Sequence, residues 1–126
     1  DVYDMACAVM EGVAFMLRKN CDHIRSKGTE IRHIIATGGG AKSPVWCQLQ
    51  ADITGLPVEV PAVTEAACLG AAMLAAWNEG QYESLKAAAK DVKMVRRYEP
   101  KPSEAIQKKY QKFCKLYDAA LEIARM

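Results

Sequence analysis

The sequence predicts a helix-rich α/β fold built on a small, partial parallel sheet. Long segments at both ends of the chain place apolar residues at steps of three and four, and between them two short, apolar, strand-like runs alternate with helical segments. A run of three glycines directly follows the first of these strands, where a parallel sheet turns into its crossover helix. The 126 residues, 51% hydrophobic and 25% charged, amount to one domain of globular protein and exclude disorder for most of the chain.

Residues 2–27 open the fold as a helix. Val2, Ala6, Val9, Met10, Val13, Leu17, Cys21 and Ile24 form its apolar stripe, with Glu11, Arg18, Lys19 and Arg25 on the other face and Gly28 as its stop. Glu30 to Thr37 ends in the β-branched pair Ile34 and Ile35 and reads as a buried strand. Ser43-Pro44 starts the next helix, since Ser caps free amides and Pro at the first position gives up an N–H that has no partner anyway. That helix runs through Trp46, Leu49 and Ile53 to Gly55, and Pro57 to Val60 follows as a brief second strand.

Thr64 caps a third helix, Glu65 suits its electropositive first turn, and Ala66 to Trp77 is apolar enough to be buried on more than one side. Ser84 to Asp91 is a shorter amphipathic helix, and Lys93 to Pro102, with two prolines and a basic pair, reads as an exposed connector with some extended character. Ser103 caps the last helix, whose buried stripe is Ile106, Tyr110, Phe113, Tyr117, Leu121 and Ala124. Two strands do not make a stable sheet by themselves. The chain also begins Asp1-Val2-Tyr3 without an initiator Met, so we expect a piece of something longer whose other part, or a partner, completes the sheet.

Composition narrows the function classes. Seventeen Lys and Arg against fifteen Asp and Glu give a net charge of +2, too small and too evenly spread to argue for nucleic acid or an anionic membrane. No apolar run approaches the roughly 20 residues of a bilayer span and the start lacks a signal-peptide pattern, so the chain is expected to be cytoplasmic, with no membrane partner. Five cysteines, never closer than 14 positions, offer no CxxC, and His23 and His33 have no ligand-spaced companion, so no metal site is expected. No Ser/His/Asp or Cys/His grouping and no acid/base carboxylate pair stands out, hence no catalytic residue is assigned.

The sharpest feature is Thr37-Gly38-Gly39-Gly40-Ala41-Lys42-Ser43-Pro44, a glycine loop between a strand and a capped helix. Glycines let the backbone approach a ligand without Cβ obstruction, and the helix presents unpaired amides and a positive dipole end, so an anion or nucleotide fits there. It is neither a Walker A loop, since Ala36 and Ala41 stand where that motif needs Gly, nor GxGxxG, since Ser43 replaces its last Gly. A Gly-rich turn without ligand is the alternative. Lys42 is either a phosphate contact or simply solvated, and Trp46 and Gln48 either meet a base or, for Trp46, anchor the core.

The stretch Gly38 to Val58 resembles the adenosine-side loop of the FGGY carbohydrate kinases, of the form GGGA[KR]SPxWxQxxADxxGxPV. Glu65 to Ala72 is similar to that family's E[AG]xxxGAA helix, and Asp4 to Gly12 resembles the tail of its second signature. The resemblance spans essentially the whole chain in the right order, and its wording is closest to the xylulose kinases of the family. It implies the C-terminal portion, residues 1–126, of the second of two actin-like (ribonuclease H-like) ATPase domains, without the N-terminal sugar-binding domain.

It further implies ATP-dependent phosphorylation of a sugar, D-xylulose to D-xylulose 5-phosphate first, with ribulose, gluconate and glycerol as competing acceptors. The nucleotide contacts it implies are Gly38, Gly39, Gly40, Ala41, Lys42, Ser43, Pro44 and Gln48. Pro44 stands where some relatives carry an Asn toward adenine, which leaves an apolar or backbone contact there. ATP or ADP and the sugar are the implied partners, and Mg²⁺ is held mainly elsewhere, as is the catalytic Asp, so this chain alone is expected to be inactive. Self-association of the fragment, and a homodimer of the full enzyme, are expected from the open sheet. The competing class is a non-catalytic interaction module with a ligand-free loop.

Overall fold

The structure is a computed structural model that describes residues 1–101 and 103–126; Pro102, the last residue of the expected connector, lies outside the described residues. The elements follow in the order α1 (Val2–Ser26), β1 (Ile34–Ile35), a short 3-10 turn (Gly39–Lys42), α2 (Pro44–Thr54), β2 (Val58–Pro61), α3 (Ala66–Asn78), α4 (Leu85–Lys90), β3 (Met94–Tyr98) and α5 (Glu104–Ala124). Among the described residues no helix is long and apolar enough to cross a membrane.

The sheet has three strands in the order β1-β2-β3. β1 and β2 are parallel as expected, with Ile34 opposite Val58 and Ile35 opposite Glu59. Two expectations need correction. The first strand is only two residues long, because beyond Ile34 and Ile35 the pairing continues through single bonds, such as the Ala36 N–H to the Glu59 carbonyl at 2.8 Å. The supposed connector holds a third strand, which runs antiparallel to β2 and makes the sheet mixed. No apolar alternation shows in its sequence: Arg96, opposite Val60, and Tyr98, opposite Val58, share one face of the strand, Arg96 reaching the glycine turn while staying exposed, and Arg97 opposes Glu59 on the other face.

Two clusters form the core. Ala41, Cys47, Ala51, Val58 and Val60 join the glycine turn, α2 and the sheet, with Ile34, Ala36 and Tyr98 packed around them. Ala14, Phe15, Ile53 and Tyr110 join α1, α2 and α5. Here the stripe read along α1 is corrected in part: Cys21 is buried as expected, but Val2, Val9 and Val13 are 70%, 69% and 55% exposed, whereas Ala14 and Phe15, outside the stripe, are buried. The face carrying Glu11, Arg18 and Lys19 is the one that meets α5. Phe15 lies 5.9 Å from the Tyr110 ring and 5.5 Å from Phe113. Arg18 covers the Tyr110 ring at 4.0 Å and reaches the Ile53 carbonyl, and Lys109 pairs with Glu11 at 2.7 Å. Long cationic side chains bury their stems over aromatic rings while their charges find partners, so a face that looks polar in sequence becomes an interface.

Helix caps follow the sequence closely. Ser43, Ser84 and Ser103 accept from the amides of Trp46, Ala87 and Ile106, and Gly55 ends α2 in the left-handed conformation. α3 departs from expectation on both counts: Glu65 rather than Thr64 precedes it, without a side-chain cap, and none of its residues is buried. In this chain it packs chiefly on short α4, which leaves Leu74 52% and Trp77 45% exposed. At Gly70 an added Cβ would meet nothing within 4 Å. The stripe of α5 is half right: Ile106, Tyr110 and Phe113 pack inward, whereas Leu121 is exposed.

Candidate functional site

The glycine loop leaves the carboxyl end of β1 and turns at once into α2. Its three glycines have different reasons to be glycine. Gly38 sits at φ 72°, ψ −165°, a region closed to residues with a Cβ, and its N–H donates to the Thr64 carbonyl at 2.8 Å, which ties the loop to the segment after β2. Gly40 lies against the indole of Trp46: a Cβ there would stand 3.1 Å from Trp46 Cδ1. At Gly39 a Cβ would meet nothing within 4 Å, and φ is not positive. Gly39 therefore faces open space, with neither a positive φ nor a close neighbour.

Below the glycines the turn is held firmly. Ala41 is 1% exposed, the Ala41 N–H donates to the Gly38 carbonyl at 3.2 Å and the Ser43 N–H to the Gly40 carbonyl at 3.1 Å. The Ala41 carbonyl accepts from Arg96 Nη2 at 3.1 Å and lies 3.7 Å from Cys47 Sγ. Burial pushes the Cys47 thiol above its ordinary range, so it fills space under the loop rather than acting as a nucleophile. Ser43 caps α2, with its Oγ 3.3 Å from the Trp46 amide, and the exposed Lys42 carries its charge at the loop's surface.

Pro44 begins α2 and borders an open groove of about 530 Å³ between α1 and α2, which Met10, Val45, Gln48 and Leu49 also line. Gln48 does not point freely into it: its Nε2 donates to Asp52 Oδ1 at 2.7 Å and to the Glu99 carbonyl at 2.8 Å. Trp46 packs with the Ala14/Phe15/Ile53/Tyr110 cluster, which makes it a core anchor. Thus Gly39, Gly40, Lys42 and Pro44 are exposed around the buried Ala41, with Gln48 one turn further along α2 and tied to the tail of β3. A separate recess of about 360 Å³ between α3 and α4 lies away from this surface. Among the described residues no three His, Cys, Asp or Glu side chains come together to hold a metal ion.

Sequence reasoning missed Arg96, Glu99 and Asp52 as neighbours of the loop and its helix. Arg96 and Glu99 lay in a segment read as a connector, and only the register of β3 on β2 brings them there.

A strand-end glycine turn feeding a capped helix, with its outermost residue unobstructed, is an arrangement in an α/β fold whose free amides and positive dipole end can receive an anion. The description that matches residues 1–79 is that of the FGGY family of carbohydrate kinases, C-terminal domain, and the chain belongs to this family. It is 37% identical over 109 residues to the L-xylulose/3-keto-L-gulonate kinase of Escherichia coli (strain K12), covering 84% of this chain and 22% of that protein. Over 95 residues it is 39% identical to the autoinducer-2 kinase of Yersinia enterocolitica, covering 74% of this chain and 18% of the relative.

Among solved structures, one described as a xyloylose kinase from Brucella ovis superposes with a TM-score of 0.82 at 30% identity, covering 98% of this chain and 26% of that one. The chain thus spans about a fifth of the length of the curated relatives it matches, 22% in the Escherichia coli case. The helix-rich α/β architecture is that of FGGY sugar kinases, an actin-like ATPase fold, as the resemblance implied.

Proposed function

We propose that this chain is the nucleotide-side part of an ATP-dependent sugar kinase, the C-terminal portion of its second actin-like domain, with Gly38 to Pro44 and Gln48 at the adenosine end of the ATP site. The observation that carries this is Gly39: a fixed loop, pinned from below at Ala41 and from the side at Gly38, presents one glycine outward with nothing within 4 Å of its missing Cβ. A nucleotide that approaches the backbone there accounts for the glycine. Pro44 and the groove beside it give the base an apolar seat, and Lys42 adds positive charge near the phosphates.

Phosphoryl transfer depends on positioning and charge neutralisation. This chain supplies positioning. Among the described residues no three His, Cys, Asp or Glu side chains gather to hold a metal ion; the residues for Mg²⁺, the catalytic base and the sugar pocket are placed in the rest of the kinase, as the family resemblance implies.

Among the acceptors, we favour xylulose, on the motif wording and on relatives whose names carry xylulose. Relatives named for autoinducer-2, gluconate and glycerol keep the other acceptors in the test. The test is a panel of D-xylulose, L-xylulose, ribulose, gluconate, glycerol and autoinducer-2 with ATP and the intact kinase, scored by kcat/KM. A xylulose at the top of the panel is the expected result; transfer to none of them would refute the kinase reading, and transfer to another acceptor would refute the xylulose assignment alone. The isolated chain is expected to show no transfer and only weak ATP binding.

A further inference from the structure

We propose that Arg96 is a positioning residue for nucleotide binding, acting through the Ala41 carbonyl, and that the β3 segment is a strap that sets the glycine loop against α2. The inference rests on the nucleotide-side reading above and goes beyond it. The match to the family's C-terminal domain description ends at residue 79, whereas β3 spans Met94–Tyr98, so the strap lies beyond the residues which that description matches.

Three bonds make the strap. Arg96 Nη2 donates to the Ala41 carbonyl at 3.1 Å, Gln48 Nε2 donates to the Glu99 carbonyl at 2.8 Å, and the Lys101 N–H donates to Asp52 Oδ1 at 2.8 Å. They are spaced along one strand and its tail, and they seize the loop, the first turns of α2 and its last turns in that order. Register explains why Arg96 reaches the loop. It stands opposite Val60, a fully buried residue of the cluster that contains Ala41 and Cys47, so its side chain projects to the loop's face of the sheet. Arg97, one residue on, projects to the other face and pairs with Glu59 and Glu99.

The mechanism follows from the peptide plane. A planar peptide fixes its N–H once its C=O is fixed, so a cation bonded to the Ala41 carbonyl sets the Ala41–Lys42 plane and with it the surface from Gly39 to Ser43. The loop side chains themselves cannot do this, since three of them are absent. Without Arg96 only the weak Cys47 S–H contact, at 3.7 Å, remains on that oxygen. A loop that wanders by an ångström loses affinity for the nucleotide while the distant acceptor pocket is untouched.

The test compares Arg96→Met, Arg96→Lys and Arg97→Met in the intact kinase, with steady-state kinetics for ATP and sugar, ADP titration and urea unfolding. Arg96→Met is expected to raise the KM for ATP about tenfold with the sugar KM within twofold of the parent, Arg96→Lys to recover part of that loss, and Arg97→Met to keep the parental KM for ATP. An ATP KM within twofold of the parent in Arg96→Met overturns the proposal while the kinase reading stands, because the parent still turns over ATP. A parallel rise in both KM values also overturns it, since that is general loosening. If the parent itself neither binds ADP nor transfers phosphate, the nucleotide-side reading falls and this inference with it. Should Arg96→Met not fold, amide hydrogen exchange in Arg96→Lys decides: faster exchange confined to residues 38–43 supports the strap, and unchanged or chain-wide faster exchange overturns it.

Discussion

Replacing each loop glycine in turn by alanine separates what the fold needs from what a ligand needs. Gly38→Ala meets no atom within 4 Å, so its whole cost is backbone: φ 72° with ψ −165° is a conformation that an L side chain resists by about 1–3 kcal/mol. At about 2 kcal/mol and a urea slope of about 1.5 kcal/mol per molar, the unfolding midpoint falls by about 1.3 M. Gly40→Ala has an ordinary φ but places its methyl 3.1 Å from Trp46 Cδ1, in a side chain packed against the second core cluster. That costs about 1–2 kcal/mol as overpacking. Gly39→Ala carries neither penalty and is expected to shift stability by less than about 0.5 kcal/mol, or to stabilise slightly by restricting the unfolded chain. Under the proposed function the same Gly39→Ala projects a methyl into the nucleotide's path and weakens ADP binding at least tenfold, about 1.4 kcal/mol. Urea unfolding and ADP titration on the three variants check this. A Gly39→Ala variant as destabilised as Gly38→Ala, or one that binds ADP like the parent, would refute the reasoning.

Two further predictions concern the core. The Tyr110 hydroxyl donates to Asp22 Oδ2 at 2.7 Å, and burial first, then that carboxylate, holds the phenol's pKa above its ordinary 10.0. Above about pH 10 the unfolded phenol loses its proton while the folded one keeps it, so the unfolded state binds fewer protons and stability falls as pH rises; Tyr110→Phe is expected to cost about 1.5 kcal/mol at neutral pH and to flatten that alkaline loss in a urea series. Thiol labelling of the chain should find Cys7 and Cys68 reactive, Cys114 slower, and Cys21 and Cys47 protected until denaturant is added; fast labelling of Cys47 would contradict its place beneath the loop.

What the sequence disclosed, and what it hid, divides along the range of the interactions. Ser43 and Ser103 are legible as caps because a cap is decided within four residues, and Gly55 as a helix stop for the same reason. The parallel β1-β2 pair is legible from the strand–helix–strand order. β3 is not, because four of its five residues stay exposed, two of them arginines, and the direction of Arg96 toward the loop depends on pairing with Val60, distant in sequence. The packing of α1 is misread for a related cause: Phe15, Arg18 and Lys19 make a good interface only once Tyr110 and Tyr117 of α5 are opposite them. α3 reads as buried from its composition, yet among the described residues it packs chiefly on α4 and none of its residues is buried. As for the loop, the motif identified Gly38 to Pro44, but only the structure distinguishes the jobs of its three glycines and shows Gln48 bonded to the tail of β3.

The central claim is that the loop from Gly38 to Pro44 receives a nucleotide. Amide hydrogen exchange of the intact kinase with and without saturating ADP, read peptide by peptide, tests it most directly. Protection that is strongest across residues 38–44 and continues into the first turns of α2 is the predicted result. Tight ADP binding with unchanged exchange across those residues would contradict the claim.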